Sequence, residues 1–341
     1  MEEKYLLEIC NPKQWKTIPK SQLLENGKFL VYGANGIIGR YNEYNHEKPT
    51  VLITCRGATC GNIHITVPNA YINGNAMALD NLNEIICKKE YLYYFLQYYD
   101  MSKIISGTAQ PQITITGLKK VKVKLYSINK QEEIVNELNK INKLIELKER
   151  QLEELQKLIK SQFVEIFGDI HLNDKKWNRN KWEDVLIIKN GKNQKKVESF
   201  NGKYPIYGSG GIIGFANDYI CNENSIIIGR KGSINKPILV KTKFWNVDTA
   251  FGLEPIKEKI ESDYLYYFCY FYNFEKHNKT VTIPSLTKKD LLNIEISIPP
   301  ITLQNQFSEI VKQIDKQKFE IEKSLKETQE LYESLMEKYF G

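Results

Sequence analysis

One sequence feature constrains the fold of this chain more than any other: residues 129–168 place apolar side chains at alternating steps of four and three. The run contains no proline and no glycine before Gly168, and polar residues fill its other faces, so composition and spacing both predict a helix that Gly168 caps. At 1.5 Å per residue the helix would be about 60 Å long. Its apolar stripe is narrow and therefore needs a partner helix. Lys148 alone interrupts the stripe, which comprises Ile134, Leu138, Ile141, Ile145, Leu152, Leu155 and Ile159.

A second run, residues 301–341, supplies a partner helix from the same chain. Subtracting 173 from its apolar positions gives positions on the stripe of the first run, and both runs end in Phe-Gly. We therefore expect the two helices to form a coiled coil.

The repeat extends into the segments that precede the two helices. Matched features recur there at offsets of 173 or 175 residues, which indicates a duplicated domain rather than a short solenoid repeat. The predicted globular halves are 1–128 and 169–300, and the predicted helices are 129–168 and 301–341. The matched features are the aromatic blocks Tyr91–Phe95 and Tyr264–Phe268, the glycine-rich stretches Val31–Gly39 and Ile206–Gly214, and the glycines Gly57 and Gly232.

Positive charge is concentrated in the globular halves. Residues 1–128 carry 15 Lys/Arg against 10 Asp/Glu, and residues 169–300 carry 20 against 15, so each half has a net charge of +5. The two helices carry net charges of −1 and −2. This distribution favours two nucleic-acid-facing modules on a nearly neutral spacer. The alternative, that a mildly basic composition serves only solubility, stays open on charge alone.

The cysteines and histidines show no metal-binding spacing. The six cysteines form no CxxC pair, and the four histidines do not follow them at zinc-finger distances, so we expect reduced thiols and no metal site. The first residues, Met1–Lys4, are polar and do not resemble a signal peptide. No apolar run approaches about 18 residues. We therefore expect a cytoplasmic protein without a membrane span.

Short β-rich runs separated by Gly and Asn predict strands and tight turns, so each half is expected to be a mixed α/β domain. Trp15–Ile18 is predicted to begin a strand, with a counterpart at Trp182–Leu186. The repeated YLYYF block is predicted to form a short amphipathic helix. Core packing is favoured for its rings over base stacking, which is the other use of tyrosines in basic proteins.

No sequence motif indicates catalysis or a cofactor. The glycine-rich stretch at 32–39 lacks a following Lys-Ser/Thr, and a strand rather than a helix is predicted after it, so it does not match a nucleotide-binding loop. Ile298–Ile301 has Pro-Pro but lacks the flanking residues of an adenine-methyltransferase tetrapeptide. No paired-carboxylate nuclease motif or Ser/His/Asp arrangement is present.

Basic residues beside the repeated glycines are the strongest candidates for DNA contacts. Arg56, Arg230 and Lys231 lie on glycine-bounded turns, and an arginine can donate two hydrogen bonds to a guanine. Polar and basic residues of the neighbouring repeated turns complete the set. The candidate DNA contacts are Asn35, Arg40, Arg56, Gln110, Gln112 and Lys119 in the first half, and Ser209, Arg230, Lys231, Ser285 and Lys288 in the second.

The order of these motifs, found twice, resembles the specificity subunit of a type I restriction–modification system over essentially the whole chain. The resemblance depends on the YG-x-x-G-IIG turn of each half, the Arg/Lys-Gly-Ala/Ser turn, and a Pro-x-Ile/Leu element before the last strand. It also depends on glutamines where each long helix begins, Gln131 in the first and Gln304 and Gln306 in the second.

This resemblance implies a mixed α/β fold with two pseudo-symmetric target recognition domains joined by two long antiparallel coiled-coil helices. In that family each domain reads half of a split double-stranded DNA site, and the helices dock two methyltransferase subunits, which motor-nuclease subunits join. The subunit itself is implied to be non-catalytic and to need no cofactor.

Two other classes of function are also consistent with the sequence. A standalone modification methylase or nuclease would show activity with adenosylmethionine or a metal as a purified protein. A structural coiled-coil adaptor would show no salt-dependent DNA binding and no dependence on Arg56 or on Arg230 and Lys231.

Overall fold

The computed structural model describes residues 2–34, 36–107, 110–278 and 284–341, and the chain divides into two compact units. Unit 1 comprises Met1–Lys148 and Ser324–Gly341, and unit 2 comprises Glu149–Lys323. Each unit therefore contains one globular half, the beginning of one long helix and the end of the other.

The described residues of the globular part of unit 1 form short strands and three short α-helices. Its elements are β1 (Glu2–Tyr5), α1 (Leu6–Ile9), β2 (Asn11–Gln14), β3 (Phe29–Gly33), β4 (Gly36–Tyr41), β5 (Val51–Thr54), β6 (Ile63–Ile65), β7 (Tyr71–Ile72), β8 (Ala76–Asp80), α2 (Lys89–Tyr98), β9 (Ile105–Ser106), β10 (Gln112–Ile113), α3 (Ile115–Leu118) and β11 (Lys122–Leu125). The strand orders are β2-β8-β5-β6 and β4-β3-β7, with β1-β11 and β10-β9 as two-stranded pairs. The long helix α4 (Ile128–Phe167) follows.

The globular part of unit 2 repeats this organisation. Its elements are β12 (Asn178–Lys181), α5 (Trp182–Val185), β13 (Leu186–Asn190), β14 (Tyr204–Gly208), β15 (Gly211–Ala216), β16 (Ser225–Gly229), β17 (Ile238–Val240), β18 (Trp245–Asn246), β19 (Ala250–Pro255), α6 (Ser262–Phe271), α7 (Lys288–Leu292) and β20 (Glu295–Ile298). Its sheets have the orders β13-β19-β16-β17, β15-β14-β18 and β12-β20, which match three of the four strand orders of unit 1. The second long helix is α8 (Ile301–Phe340).

Within each unit the segments of α4 and α8 run antiparallel. In unit 1 the Tyr339 hydroxyl donates to Glu137 Oε2 at 2.5 Å, and Lys148 Nζ donates to Ser324 Oγ at 2.8 Å. In unit 2 the rings of Phe163 and Phe307 are 5.5 Å apart, and Lys318 Nζ donates to Gln156 Oε1 at 3.0 Å. Residue numbers rise along one helix as they fall along the other, which confirms the predicted antiparallel pairing.

Lys148, which interrupts the apolar stripe, finds a polar partner in Ser324. The equivalent position of α8 carries Ile321. A single polar residue in a coiled-coil seam favours one alignment of the helices at some cost in stability, because other alignments bury the polar group without a partner.

The last turn of each long helix enters the core of a globular half. In unit 1, Phe340 is 4% exposed and its ring centroid lies 5.4 Å from that of Tyr91 in α2. In unit 2, Phe167 is 3% exposed and its ring lies 4.7 Å from that of Tyr264 in α6. The predicted cap is present after α4, where Gly168 has φ +81° and its N–H donates to the Val164 carbonyl at 2.8 Å.

The YLYYF blocks form α2 and α6 and pack inward, as predicted. Tyr91 and Tyr264 are buried, and their hydroxyls donate to the carbonyls of Lys124 (2.6 Å) and Ser297 (2.7 Å) in the last strand of each unit. Burial raises the pKa of both tyrosines, so their hydroxyls remain donors.

The predicted strand start at Trp15–Ile18 is wrong. These residues follow β2 without regular structure, and the Trp15 indole N–H donates to Asp80 Oδ2 at 3.0 Å. The counterpart of Trp182–Val185 is α1, in which Leu6 occupies the buried position of Trp182. The prediction matched Trp15 to Trp182 because both residues are tryptophans. Equivalent positions of the two units are instead defined by their place in the core, and Leu6 fills in unit 1 the core position that Trp182 fills in unit 2.

Among the helices that the structure describes, none combines the length and the apolar character needed to cross a lipid bilayer.

A buried glutamine links each long helix to the loop that precedes the aromatic helix. Gln304 is 0% exposed, accepts from the Glu261 N–H at 2.8 Å, and donates to the carbonyls of Pro299 (2.8 Å) and Lys259 (3.5 Å). Gln131 makes the equivalent bonds in unit 1 to Lys88, Ile86 and Tyr126. Glutamine fits this position because one amide satisfies both a donor and two acceptors.

We predict that Gln304→Leu destabilises unit 2 by about 3 kcal/mol or more, because three backbone groups lose their partner and each unpaired buried group costs about 1 to 3 kcal/mol. Urea unfolding followed by tryptophan fluorescence tests this, and hydrogen exchange should accelerate at the Glu261 amide. Gln306→Leu is the matched control, since Gln306 is exposed on the same turn of α8. Equal unfolding midpoints for the two variants would contradict the assignment.

Candidate nucleic-acid interface

The repeated glycine-rich stretch is the turn of a β-hairpin in both units. Gly33 pairs with Gly36 between β3 and β4, and Gly208 pairs with Gly211 between β14 and β15. Gly36 (φ +73°) and Gly211 (φ +130°) adopt backbone conformations that other residues rarely accept. A strand, and not a helix, follows each turn, as the sequence predicts.

In unit 1 two sequence-distant candidates lie side by side. Arg56, which follows β5, pairs with Gln112 in an antiparallel bridge, and the Ile113 N–H donates to the Cys55 carbonyl at 3.0 Å. Arg56 and Gln112 are both exposed, whereas Cys55 and Ile113 are buried in the core.

Unit 2 contains the same arrangement. Lys231 pairs with Ser285 in an antiparallel bridge, and the Leu286 N–H donates to the Arg230 carbonyl at 2.9 Å. The Gly232 N–H adds a bond to the Pro284 carbonyl at 3.0 Å. The Arg/Lys-Gly turn and the Pro-x-Ile/Leu element therefore form one surface in both units. The sequence had pointed to these two elements separately.

The hairpin turn lies against this surface. In unit 1 the Thr59 hydroxyl donates to the Ala34 carbonyl, and in unit 2 Ser209 Oγ lies 4.0 Å from the Cβ position that Gly232 lacks. We define the first turn cluster as Ala34, Arg56–Thr59 and Gln112, and the second turn cluster as Ser209, Arg230–Gly232 and Ser285.

The glycines of the two turn clusters leave their backbone open to a ligand. Gly57 (φ +92°) and Gly232 (φ +80°) both adopt left-handed conformations. Among the residues that the structure describes, a Cβ at Gly57 would meet nothing within 4 Å, and one at Gly232 would meet only Ser209 Oγ. Another molecule can therefore approach the main chain closely beside Arg56 and Lys231.

The remaining sequence candidates lie outside these clusters or at their margins. Arg40 is exposed on β4, where its Nη1 donates to the Gly27 carbonyl at 3.1 Å. Gln110 is exposed near the first cluster, and Lys119 is exposed after α3. Lys288 Nζ donates to the Ile188 carbonyl at 2.8 Å, a contact inside the globular half. Asn35 lies outside the described residues.

Sequence reasoning missed several residues at the hairpin turns. Ile37 is 54% exposed, and Ile212 and Ile213 are 56% and 55% exposed. The repeated Ile-Ile was visible in the sequence, but apolar pairs are expected in cores and gave no sign of exposure. His64 was also missed: its ring lies beside Gly36, its Nε2 is buried with no hydrogen-bond partner among the described residues, and burial lowers its pKa.

One histidine–carboxylate pair has the composition of a catalytic site but not its geometry. His46 Nε2 lies 2.9 Å from Asp80 Oδ1, and His46 Nδ1 lies 2.6 Å from Asn45 Oδ1. The Ile72 backbone fixes that amide by donating to Asn45 Oδ1 and accepting from its Nδ2. Both ring nitrogens therefore face acceptors, and no nitrogen is left to take a proton from a substrate.

Within the described residues, no group of three or more His, Cys, Asp or Glu side chains is arranged to hold a metal ion.

The sequence profile of the type I restriction modification DNA specificity domain matches this chain twice, at residues 1–157 and 174–331. The two matches coincide with the two halves of the repeat. The chain belongs to this family.

Named relatives of this DNA specificity family resemble the chain over most of its length. A putative type I restriction enzyme specificity subunit of Methanocaldococcus jannaschii is 23% identical, covering 77% of this chain and 72% of the relative. A putative type I specificity subunit of Mycoplasma genitalium is also 23% identical, covering 96% of this chain and 90% of the relative.

Solved structures from type I restriction–modification systems share the fold. The crystal structure of the S subunit from M. genitalium has a TM-score of 0.71 at 20% identity, covering all of this chain and 96% of the other. A chain from a study of complex assembly and conformational transition in a type I system has a TM-score of 0.58 at 16% identity, covering 99% and 97%. The predicted mixed α/β fold, with two similar globular halves and two long helices, is thereby confirmed.

We predict that Lys288→Ala lowers the stability of unit 2 by about 1 kcal/mol, because the Ile188 carbonyl loses a charged donor. Lys289→Ala, on the exposed face of the same helix, should change stability by less than about 0.5 kcal/mol. Urea midpoints of the two variants make the comparison. If the midpoints are equal and only Lys288→Ala weakens DNA binding, Lys288 is a DNA contact rather than a structural link.

Proposed function

We propose that this protein is the DNA-specificity subunit of a type I restriction–modification complex, that unit 1 and unit 2 each read one half of a split double-stranded DNA site, and that the subunit catalyses no reaction itself. The observation that carries the proposal is the pair of turn clusters. Each family match contains one cluster, and each cluster presents a cation beside an open glycine backbone.

The chemistry of the clusters suits duplex DNA. Arginine and lysine provide attraction to phosphates and donors to guanine, while glutamine and serine provide hydrogen bonds to base edges. The net charge of +5 on each globular half adds a sequence-independent attraction that weakens as salt increases.

The clusters differ at equivalent positions, which supports two different half-sites. Unit 1 has Arg56 opposite Gln112, and unit 2 has Lys231 opposite Ser285. The similar backbones hold the outward side chains of the two clusters in the same way. Because those side chains differ, the two clusters read different bases.

Exposed leucines on the long helices support docking of two methyltransferase subunits. Leu331 in unit 1 is 50% exposed and Leu158 in unit 2 is 44% exposed, whereas the seam residues of both helices are buried or half-buried. The two leucines are 173 residues apart, so they occupy equivalent positions of the repeat. Equivalent apolar positions suit two copies of one partner. We expect motor-nuclease subunits to join through that assembly.

The rival enzyme function has no support in the described site geometry, since the His46–Asp80 pair lacks a free ring nitrogen. Purified protein incubated with adenosylmethionine or with a divalent metal should neither methylate nor cleave DNA. Activity of the isolated protein would overturn the non-catalytic assignment.

We predict that deleting this gene removes adenine methylation from one split motif with a fixed unspecified gap. Long-read sequencing of the source genome, with and without the gene, measures this directly. Restoring the gene should restore the motif. If methylation is unchanged in a strain that expresses the protein and its partner subunits, the specificity assignment fails. DNA binding by the purified protein that does not weaken with salt, or no binding at all, would instead favour a coiled-coil adaptor.

We further predict that Leu158→Glu combined with Leu331→Glu prevents co-purification of the methyltransferase subunit and leaves DNA binding of the isolated protein unchanged, because a carboxylate in an apolar interface loses its hydration. Glu153→Gln combined with Glu327→Gln, on exposed helix positions, is the control. Unimpaired co-purification of the leucine variant would place the docking surface elsewhere.

A further inference from the structure

The bridge in each turn cluster decides which side chains can reach a base. Residues directly opposite each other in an antiparallel pair project on the same face, with Cβ atoms about 4.5 to 5.5 Å apart. Cys55 (0% exposed) and Ile113 (2% exposed) project into the core, so their neighbours Arg56 and Gln112 project outward together.

The same alternation separates the two cations of unit 2. Lys231 is the residue opposite Ser285 and is therefore the counterpart of Arg56. Arg230 precedes it and is the counterpart of the buried Cys55. Arg230 reaches solvent, but its guanidinium lies over the ring of the buried Phe251, 5.8 Å from the centroid. Arg230 is therefore exposed but contacts a core ring, whereas Lys231 lies opposite Ser285 on the face that Arg56 occupies in unit 1.

We infer that Arg56 with Gln112, and Lys231 with Ser285, are the paired base-reading residues of the two units. This inference rests on the proposed function and names its substrate more closely. The first pair is complementary to a guanine and a neighbouring adenine, because arginine pairs bidentately with guanine O6 and N7 and glutamine with adenine N6 and N7. The second pair is complementary to a guanine and a less restricted neighbour, since serine accepts several bases.

Reach and access agree with this assignment. A Cβ separation of about 5 Å is comparable to one or two base-pair steps at about 3.4 Å each, so the two side chains of a pair can address adjacent base pairs. No described residue apart from Ser209 lies within 4 Å of a Cβ built at Gly57 or Gly232, so a groove edge can approach the backbone of the described part of each cluster.

The test uses the complete methyltransferase complex acting on a plasmid library in which each base of both half-sites is varied. Gln112→Ala should reduce discrimination for adenine at one position by about 5- to 150-fold, and Arg56→Ala should do so for guanine at the adjacent position. Lys231→Ala should relax one guanine of the other half-site, whereas Arg230→Ala should relax no single base position and at most lower methylation equally for all sequences. Lys119→Ala is the control and should lower methylation equally for all sequences.

A second variant keeps the test decisive if the alanine complexes are inactive. Arg56→Lys combined with Gln112→Ser installs the unit 2 pair in unit 1, and it should retain methylation while relaxing only the adenine position. An unchanged motif for Arg56→Ala and Gln112→Ala, or for the double variant, overturns the inference and leaves the proposed function intact. If the unaltered complex recognises no split motif, the proposed function itself fails.

Discussion

The contact between the last turn of a long helix and the aromatic helix of a globular half determines how this chain divides into two compact units. Phe167 packs on Tyr264, and Phe340 packs on Tyr91, with each tyrosine hydroxyl bound to the last strand of its unit. A helix end therefore contributes side chains to the core of each globular half. A boundary placed at the first residue of a helix separates core residues that the structure keeps together.

The parts of the fold with a local signal could be predicted from sequence. The apolar spacing predicted both long helices, Gly168 predicted the cap, and the YLYYF block predicted α2 and α6 with buried rings. Contacts between distant segments could not be predicted in this way. The bridges of Arg56 to Gln112 and of Lys231 to Ser285 each join two turns more than fifty residues apart, and no periodicity encodes such a contact.

The errors and omissions have a common physical origin. The match of Trp15 to Trp182 failed because a core position accepts any side chain that fills it, and here Leu6 is the counterpart of Trp182. The exposure of Ile37 and Ile212 was missed because a pair of apolar residues in a sequence does not show whether the folded protein buries them. The residue types of the candidate contacts could be predicted from the sequence. Only the strand pairing showed that Lys231 is the counterpart of Arg56, whereas Arg230 lies over the ring of Phe251.

The division of each helix between two units also has a consequence for biosynthesis. Every residue of unit 2 has been translated once Lys323 is added, whereas unit 1 still lacks Ser324–Gly341, including Phe340. The half of the protein that leaves the ribosome first therefore completes its core last. A nonsense codon shortly after residue 323 removes no residue of unit 2, yet it exposes Tyr91 and its neighbours in a half whose own coding sequence is intact.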